Sequence, residues 1–534
     1  MHRCIPLALM LLVAVAALPA EEGRQPSLDA RPSALYNVRD FGAVGDGATL
    51  ETASLQRAID TCAEAGGGIV FYPPGDYLTG TLVLRSHVTL ELSAGCTIWG
   101  STNLDDYPPH VPEFRSYTDN YTERSLIYAE KTTGTALIGR GTLDGNGASS
   151  AFDQPDGRQR PYKERPYIMR FVECTHLLVS GVTLKDTAMW VQHYLACEDV
   201  RIENVTVRSR IPRRNGDGID IDSCRRVIVT GCNIDCQDDA ICLKSTSGKV
   251  CRDIVISDCV ITTHCNAFKC GTESIGGFEN VTLTNCTMFD TRLAGVAIYS
   301  VDGGTVKNFT ISNLVMDNIG APFSLRRGAR YLNPYPGGQK DTPGEFSGVT
   351  IRDIEATNVT GIGCPIAGIP GYPIEDVSIS NVRVTFKGGG KLEDTTVEVP
   401  EFPAKYPDFY MFGPLPAYGV YARHVRNLSL DGLTVRFGAP DLRHALVCDD
   451  VENLVLDRFA PQRAECGAPP IRLVNSRNIC LRGWLPAENL LPFVRLEGKE
   501  TKNIVLDPML MIAGDRTVEF GEDVPRNAVH RWTR

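Results

Sequence analysis

The chain has 534 residues, a formal net charge of −10 and 22% charged residues. This length allows a large hydrophobic core, and the modest acidic excess is unfavourable for nucleic-acid binding. We therefore expect no nucleic-acid partner, although the net charge alone does not identify a substrate.

The N-terminus has the layout of a signal peptide. His2 and Arg3 precede an almost wholly apolar stretch that ends at Pro19-Ala20, just before two glutamates. Such a stretch is too short to span a bilayer, and no later stretch is long and apolar enough to do so. We expect residues 1–20 to be a signal peptide, the mature protein to be secreted or periplasmic, and no membrane to be bound.

Residues 36–75 are predicted to form an N-terminal cap. A stretch with a helical pattern, Thr52 to Ala65, lies between two glycine-rich segments. A helix at this position would cover the open first edge of a repetitive sheet.

A short repeat then dominates the chain. Two apolar-x-apolar segments joined by one turn residue recur, and the first five copies begin 23, 27, 27 and 27 residues apart. Two short strands and a bend at this period are typical of one coil of a parallel β-helix. We predict an all-β parallel β-helix as a single domain over residues 36–510, followed by a C-terminal tail at 511–534. The repeats begin at Leu177, Val200, Val227, Ile254, Val281, Phe309, Val349, Val377 and Leu428, with weaker copies at Asn453, Asn478 and Asn503.

In the nine stronger copies, two positions of the repeat support this interpretation. The fifth position is always Gly, Asn or Asp, which adopt tight-turn conformations at little cost. The sixth position is always apolar and predicts a stack in the interior. This stack includes Cys232, Cys259 and Cys286, which we expect to be small buried hydrophobes, although an exported protein can form disulfides.

Two intervals depart from the repeat, at residues 319–345 and 388–419. The first is rich in arginine and the second in proline and aromatic residues. Long irregular segments on a regular scaffold tend to be functional.

Acidic residues occur where the repeat is most regular. Asp217, Asp239 and Asn266 begin segments that align position by position, 22 and 27 residues apart. Coils of a β-helix are about 4.8 Å apart, so Asp217 and Asp239 are expected to be vertical neighbours in a solvent-open groove, with Asp238 beside them. Clustered carboxylates raise the pKa of at least one member, as glycoside hydrolysis requires. A turn-capping role and Ca²⁺ binding are the alternatives.

The same residues carry a resemblance to a known family. Asn215-Gly216-Asp217-Gly218-Ile219-Asp220 and Gln237-Asp238-Asp239 resemble the first two motifs of glycoside hydrolase family 28, the polygalacturonases and their relatives. The glycine-rich segment at 141–147 and the opening segment from Tyr36 are also similar, so the resemblance covers roughly residues 36–440. It implies a right-handed β-helix and hydrolysis with inversion, without metal or cofactor. Asp238 would be the general acid, and Asp217 and Asp239 would activate the water.

Two family motifs are altered. The family's Gly-His-Gly aligns with Cys265-Asn266-Ala267, and its Arg-Ile-Lys aligns with Ala297-Ile298-Tyr299. The cations that grip a galacturonate carboxylate are therefore missing. Lys269, in the same outward column as Ala297, is the predicted replacement, with an ordinary solvated lysine as the alternative. The candidate substrate-binding residues are Asn215, Asn266, Lys269, His264, Arg214, Arg327 and Tyr299.

We therefore expect an exported, monomeric, inverting glycosidase that cleaves an α-linked, galacturonate-containing polysaccharide or oligosaccharide, pectic or rhamnogalacturonan-like. A polysaccharide lyase on the same fold and a non-catalytic glycan-binding solenoid are the two alternatives. The paired Asp238-Asp239 favours hydrolysis over the lyase.

Overall fold

The computed structural model describes residues 34–153, 163–332, 340–483, 490–510 and 516–531. The predicted signal peptide lies outside the described residues. Parts of the first long loop and of the predicted C-terminal tail also lie outside them. Among the described residues, no helix has the length and hydropathy required for crossing a membrane.

The chain forms 37 parallel strands and one α-helix in the described part, which confirms the predicted all-β solenoid with a short N-terminal helix. The helix α1 is Thr52–Glu64. Strands β1 to β37 are, in chain order, Leu35–Asn37, Asp46–Leu50, Gly68–Tyr72, Gly75–Thr79, Leu82–Val83, Val88–Leu92, Cys96–Gly100, Ser125–Glu130, Ala136–Gly139, Thr142–Asp144, Tyr167–Val172, Thr175–Ser180, Thr183–Lys185, Gln192–Leu195, Glu198–Glu203, Thr206–Ser209, Ile219–Asp222, Arg225–Thr230, Asn233–Cys236, Ile241–Ser245, Cys251–Ser257, Val260–Thr263, Phe268–Ser274, Gly277–Ser300, Thr305–Arg327, Phe346–Val359, Cys364–Ala367, Ile374–Phe386, Ala417–Phe437, His444–Asp457, Ala460–Pro461, Ile471–Val474, Arg477–Arg482, Val494–Glu497, Lys502–Leu506, Val518–Phe520 and Val529–Arg531.

The strands form three faces, and each coil of the regular part contributes one strand to each face, where it pairs in parallel with its equivalent in the next coil. One face contains β12, β15, β18 and β21, and a second contains β13, β16, β19 and β22. The third face contains β11, β14, β17, β20 and β23 and continues into the end of β24. We call this third face the acidic face, because the aspartate cluster lies at its edge.

The turn residue of the repeat explains the shape of each coil. All nine residues at the fifth position have a positive φ, between 49° and 78°. Only Gly, Asn and Asp adopt this left-handed conformation readily, so these residues permit the bend between the first two faces. They are Gly181, Asn204, Gly231, Asp258, Asn285, Asn313, Asp353, Asn381 and Gly432.

The interior contains ladders of stacked side chains, one residue from each coil. The predicted column that includes Cys232, Cys259 and Cys286 is buried, and the three thiols are free, which confirms their interpretation as core residues. A second buried ladder of free cysteines was not predicted. It contains Cys174, Cys197, Cys224 and Cys251, which repeat at the same period.

The boundaries differ from the prediction at three places. The first long loop begins after Arg327 rather than at 319, because β25 continues to that residue. The second begins after Phe386, where β28 ends, and β29 starts at Ala417. Beyond residue 510, β36 and β37 pair in parallel with β34 and β35, so the solenoid continues into the predicted tail.

Helix α1 covers the first coil. Its buried residues Leu55, Ala58, Ile59 and Cys62 belong to the main core. The helix packs against β1, β3 and β5, and thereby shields strand edges that would otherwise be unpaired.

Candidate active site

Three successive bends bring Asp217, Asp239 and Asn266 into one column at the edge of the acidic face. The amide of Gly218 donates to the carbonyl of Asp239, and that of Ala240 donates to the carbonyl of Asn266, both at 2.9 Å. The strands that follow pair in the predicted register, with Asp220, Cys242, Lys269 and Ala297 in one outward column.

Asp239 is held as a carboxylate. It is only 2% exposed, and its Oδ1 accepts hydrogen bonds from the amide and the Nδ2 of Asn266, at 3.1 and 2.7 Å. Its Oδ2 accepts one from Lys269 Nζ at 2.8 Å. Burial opposes ionisation of Asp239, but Lys269 and Lys244 outweigh it and hold its pKa at about 2.

Asp238 is the accessible member of the cluster. It is half-buried, its Oδ2 accepts a hydrogen bond from the amide of Asn215 at 3.1 Å, and its Oδ1 accepts one from the amide of Asp239 at 3.0 Å. Burial and the charge of Asp239 raise the pKa of Asp238 above its ordinary value. Two adjacent carboxyls are thus driven apart in pKa, an arrangement that suits one to donate a proton and the other to accept one.

Asp217 belongs to a second, buried charge cluster. The Nζ of Lys244 lies 3.6 Å from Asp217 Oδ2, 3.4 Å from Asp220 Oδ1 and 3.7 Å from Glu273 Oε2. Burial and mutual repulsion raise the pKa of Asp217 well above its ordinary value, and burial does the same for Asp220. Asp217 is 3% exposed and Asp239 is 2% exposed, so both carboxyls are buried rather than open to solvent as expected.

Lys244 was not predicted. It lies in the outward column of Asp222, and its ammonium lies 4.7 Å from the ring centroid of Trp190. The sequence feature that could have revealed Lys244 is its position two residues after Cys242, because residues two apart on a strand lie on the same face.

Neither acid cluster has the donor set of a calcium site. The ligand atoms of Asp217, Asp220 and Cys242 lie within 4.8 Å of one another, as do those of Asp238, Asp239 and Cys265. Each group includes a thiol, and a lysine ammonium already neutralises part of each. Calcium prefers six to eight oxygen ligands, so the chemistry of these residues favours proton transfer over Ca²⁺ binding.

The predicted substrate-binding residues separate into two groups. Asn266 and Lys269 are buried against Asp239 and donate hydrogen bonds to it. They therefore orient that carboxylate and stabilise its negative charge. Tyr299 and Arg327, which were predicted to bind substrate, are not positioned to contact it directly. Tyr299 is buried in an apolar cluster, and Arg327 donates to the carbonyl of Pro373 and stacks on Tyr372.

The other group remains at the accessible rim. Arg214 and His264 are exposed, and Asn215, which follows Arg214, contacts Asp238 through its amide. The carbonyl of His264 accepts a hydrogen bond from Arg292 Nε at 2.8 Å. The structure therefore brings Asn215, Arg214 and His264 to the neighbourhood of the accessible acid.

The loop between β28 and β29 covers part of the acidic face. Phe409 packs on Leu293, Ala297 and Tyr299, and the hydroxyl of Tyr406 accepts a hydrogen bond from Lys269 at 3.1 Å. Asp408 is buried, and burial raises its pKa, while Lys269 opposes that shift. The loop was predicted to be functional from its composition, but no sequence feature indicates which coil it contacts.

The profile of the family described as glycosyl hydrolases family 28 matches residues 66–405, more than half of the chain. The chain belongs to glycoside hydrolase family 28. A probable polygalacturonase of Vitis vinifera is 27% identical over 405 residues, which cover 71% of this chain and 81% of that protein. Family 28 membership, with polygalacturonases among the relatives, makes the protein a glycosidase.

Solved structures agree with this family assignment. A hyperthermoactive exopolygalacturonase from Thermotoga maritima is 25% identical, with a TM-score of 0.57, over 66% of this chain and 88% of that chain. A family 28 exopolygalacturonase from Yersinia enterocolitica is 20% identical, with a TM-score of 0.60, over 79% and 78%. The second likeness supports the β-helix fold.

Proposed function

We propose that this protein is an exported, inverting glycosidase that cleaves α-linked galacturonate residues in a pectic or rhamnogalacturonan-like glycan. The observation that carries the proposal is the pairing of Asp238, accessible and with a raised pKa, with Asp239, buried and with a pKa of about 2. Family 28 membership and polygalacturonase relatives support the substrate class.

The mechanism follows from these two environments. Asp238 donates its proton to the glycosidic oxygen as the bond to the anomeric carbon breaks. Asp239, with Asp217 as its neighbour in the column, accepts a proton from the attacking water on the opposite side of the sugar ring. Because water attacks that carbon directly, the product has the inverted configuration.

The loop over the acidic face supports action at a chain end. The loop packs on the coils beyond Asn266, and we infer that it closes the groove in that direction. Exopolygalacturonases occur among the relatives and the similar structures. We infer that the enzyme releases terminal residues, so reducing ends should accumulate on polygalacturonate before its viscosity falls.

The decisive experiment is proton NMR of the products formed from galacturonate and rhamnogalacturonan oligosaccharides. The first-formed reducing end should have the β configuration, and no unsaturated uronate should absorb in the ultraviolet. An unsaturated product that disappears with chelator would establish the lyase alternative. No turnover of any glycan, together with retained binding, would establish the non-catalytic alternative.

Export has a separate test. The predicted signal peptide should be removed when the full chain is expressed in a secreting bacterial host, and mass spectrometry of the secreted protein should give a mature N-terminus near residue 21. Retention of Met1 in a cytoplasmic product would contradict export.

A further inference from the structure

The acid cluster presents a difficulty for an anionic sugar. Its two buried cations are already engaged, Lys269 with Asp239 and Lys244 with Asp217, Asp220 and Glu273. A uronate carboxylate that approaches Asp238 therefore meets a surface with excess negative charge. It needs a cation that is exposed and not already paired.

Arg292 meets this requirement. It is exposed on the bend between two buried residues, Thr291 and Leu293. The amide of Leu293 donates to the carbonyl of Cys265, which places Arg292 two coils from Asp238, about 10 Å along the solenoid.

The guanidinium of Arg292 is oriented but not neutralised. Its Nε donates to the carbonyl of His264 at 2.8 Å, which fixes the plane of the group. Among the described residues, no carboxylate forms an ion pair with it. Its two terminal nitrogens are thus available for the paired hydrogen bonds that arginine makes to a carboxylate.

Tyr410 provides an aromatic face beside this cation. The residue is 48% exposed, and its hydroxyl donates to Asp408 Oδ2 at 3.2 Å. Phe409, which precedes Tyr410, packs in one buried apolar cluster with Leu293, which follows Arg292, so the segments that carry the two groups adjoin. Burial raises the pKa of the Tyr410 phenol to about 12, and the charge of Arg292 opposes this shift. The ring also lines a cavity of about 410 Å³ with Ile362 and Pro414.

The arginine in that cavity is not a rival for the carboxylate. Arg443 is buried in an ion pair with Asp441, and its remaining donors bind the carbonyls of Leu415, Ala417 and Gly361. Its charge and its donors are satisfied within the protein. A sugar carboxylate beside Tyr410 therefore has Arg292, rather than Arg443, as its partner.

We propose that Arg292 and Tyr410 form a uronate-binding subsite beside the catalytic acid. The sugar ring packs on the exposed face of Tyr410, and its carboxylate pairs with the terminal nitrogens of Arg292. This inference rests on the proposed function, since it assumes a galacturonate-containing substrate. The altered Arg-Ile-Lys motif cannot bind the substrate carboxylate. In this proposal Arg292, which lies in a different column, binds it instead.

The test compares an acidic oligosaccharide with a neutral counterpart. For Arg292→Gln, KM on trigalacturonate should rise about tenfold, with kcat within about twofold of the parent, because an exposed charge-assisted contact is lost. KM on the carboxyl-reduced trisaccharide should not change. The KM of Arg292→Lys on trigalacturonate should lie between those of the parent and Arg292→Gln. Arg436 is an exposed arginine on another face, and Arg436→Gln should have the KM of the parent.

The aromatic face has its own matched pair of variants. Tyr410→Phe keeps the ring and should retain at least half of the affinity for trigalacturonate, whereas Tyr410→Ala should lose about tenfold. Equal KM values for Arg292→Gln and Arg436→Gln on the acidic substrate would overturn the subsite. An equal rise in the KM of Arg292→Gln on the acidic and the carboxyl-reduced trisaccharides would also overturn it.

Failure of the proposed function would be recognised separately. If the parent protein turns over no uronate oligosaccharide, calorimetry with trigalacturonate decides the subsite independently of catalysis. Binding that Arg292→Gln abolishes and Arg436→Gln retains would support it, and absence of binding to the parent would overturn it.

Discussion

The chemistry at the residue scale depends on two neighbouring carboxyls in different environments. Asp238 is accessible and accepts hydrogen bonds from two backbone amides, while Asp239 is enclosed by Asn266 and Lys269. In the mechanism that we propose, the same residue type therefore serves as acid at one position and as base at the next. The difference comes from the surrounding charges and from burial.

Replacing the acid tests this division directly. Asp238→Asn should lower kcat on galacturonate oligosaccharides by about a hundredfold to ten-thousandfold, because general acid catalysis is lost, with no loss of melting temperature. The matched control is Asp253→Asn, a surface residue with a φ of 61° that asparagine tolerates. An Asp238→Asn enzyme with parental kcat would refute the assignment.

The Lys269 cation should set the acidic limit of activity. Its removal in Lys269→Met leaves Asp239 buried without its closest positive charge, so the pKa of Asp239 must rise. Since the base must be ionised, the acidic limb of the kcat/KM profile should move to higher pH by about one unit or more. Lys269→Arg should keep the parental limb, and an unmoved limb in the methionine variant would contradict the assignment.

At the scale of single coils, the repeat allowed much of the structure to be predicted. The turn residue and the apolar residue after it gave the bends and the first cysteine ladder, because both are local features that recur at one period. The second ladder, from Cys174 to Cys251, follows the same period and was detectable in principle. Its residues lie outside the repeated apolar segments, so the repeat itself does not indicate them.

The parts that were not predicted depend on contacts between distant segments. Lys269 and Tyr406 are 137 residues apart, and their contact requires the loop to fold back over a specific coil. Arg327 was predicted to bind substrate because it is cationic, yet backbone carbonyls occupy it. Composition indicates that a loop matters, but it does not determine which of its charges remain available.

The cysteine ladders should behave as packing rather than as cross-links. A reductant should leave the melting temperature unchanged, and a thiol reagent should modify exposed Cys466 in the native protein well before the buried thiols. Cys259→Ala should lower the free energy of unfolding by about 1 kcal/mol through the small cavity that it leaves, and Cys466→Ala should not. A large decrease in melting temperature with reductant would show that disulfides exist.

At the scale of the whole molecule, the buried acids couple stability to pH. The pKa values of Asp217, Asp220 and Asp238 are raised above 3.8 in the folded chain, mainly by burial, so the folded state binds more protons than the unfolded state. Their contribution therefore becomes less favourable as pH rises above about 4. His193 and His444, whose pKa values burial lowers to about 4, act in the opposite direction up to about pH 6.5.

The difference in melting temperature between a variant and the parent separates the contribution of one buried acid from that of the histidines. The melting temperature of Asp220→Asn minus that of the parent should increase as pH rises from about 4 to 8, because asparagine needs neither a proton nor a charge. For Asp253→Asn the same difference should be constant over this range. A difference for Asp220→Asn that is independent of pH would show that Asp220 does not carry a raised pKa.

The stacking of the acids on consecutive coils also limits how the protein can change its length. A duplication or deletion of a complete coil far from the cluster would lengthen or shorten the groove while leaving proton donor and acceptor in place. A coil inserted between Asp217 and Asp239, which lie on consecutive coils, would increase their separation by about 4.8 Å and disconnect the column. Evolutionary or engineered variation in coil number should therefore be concentrated outside this interval.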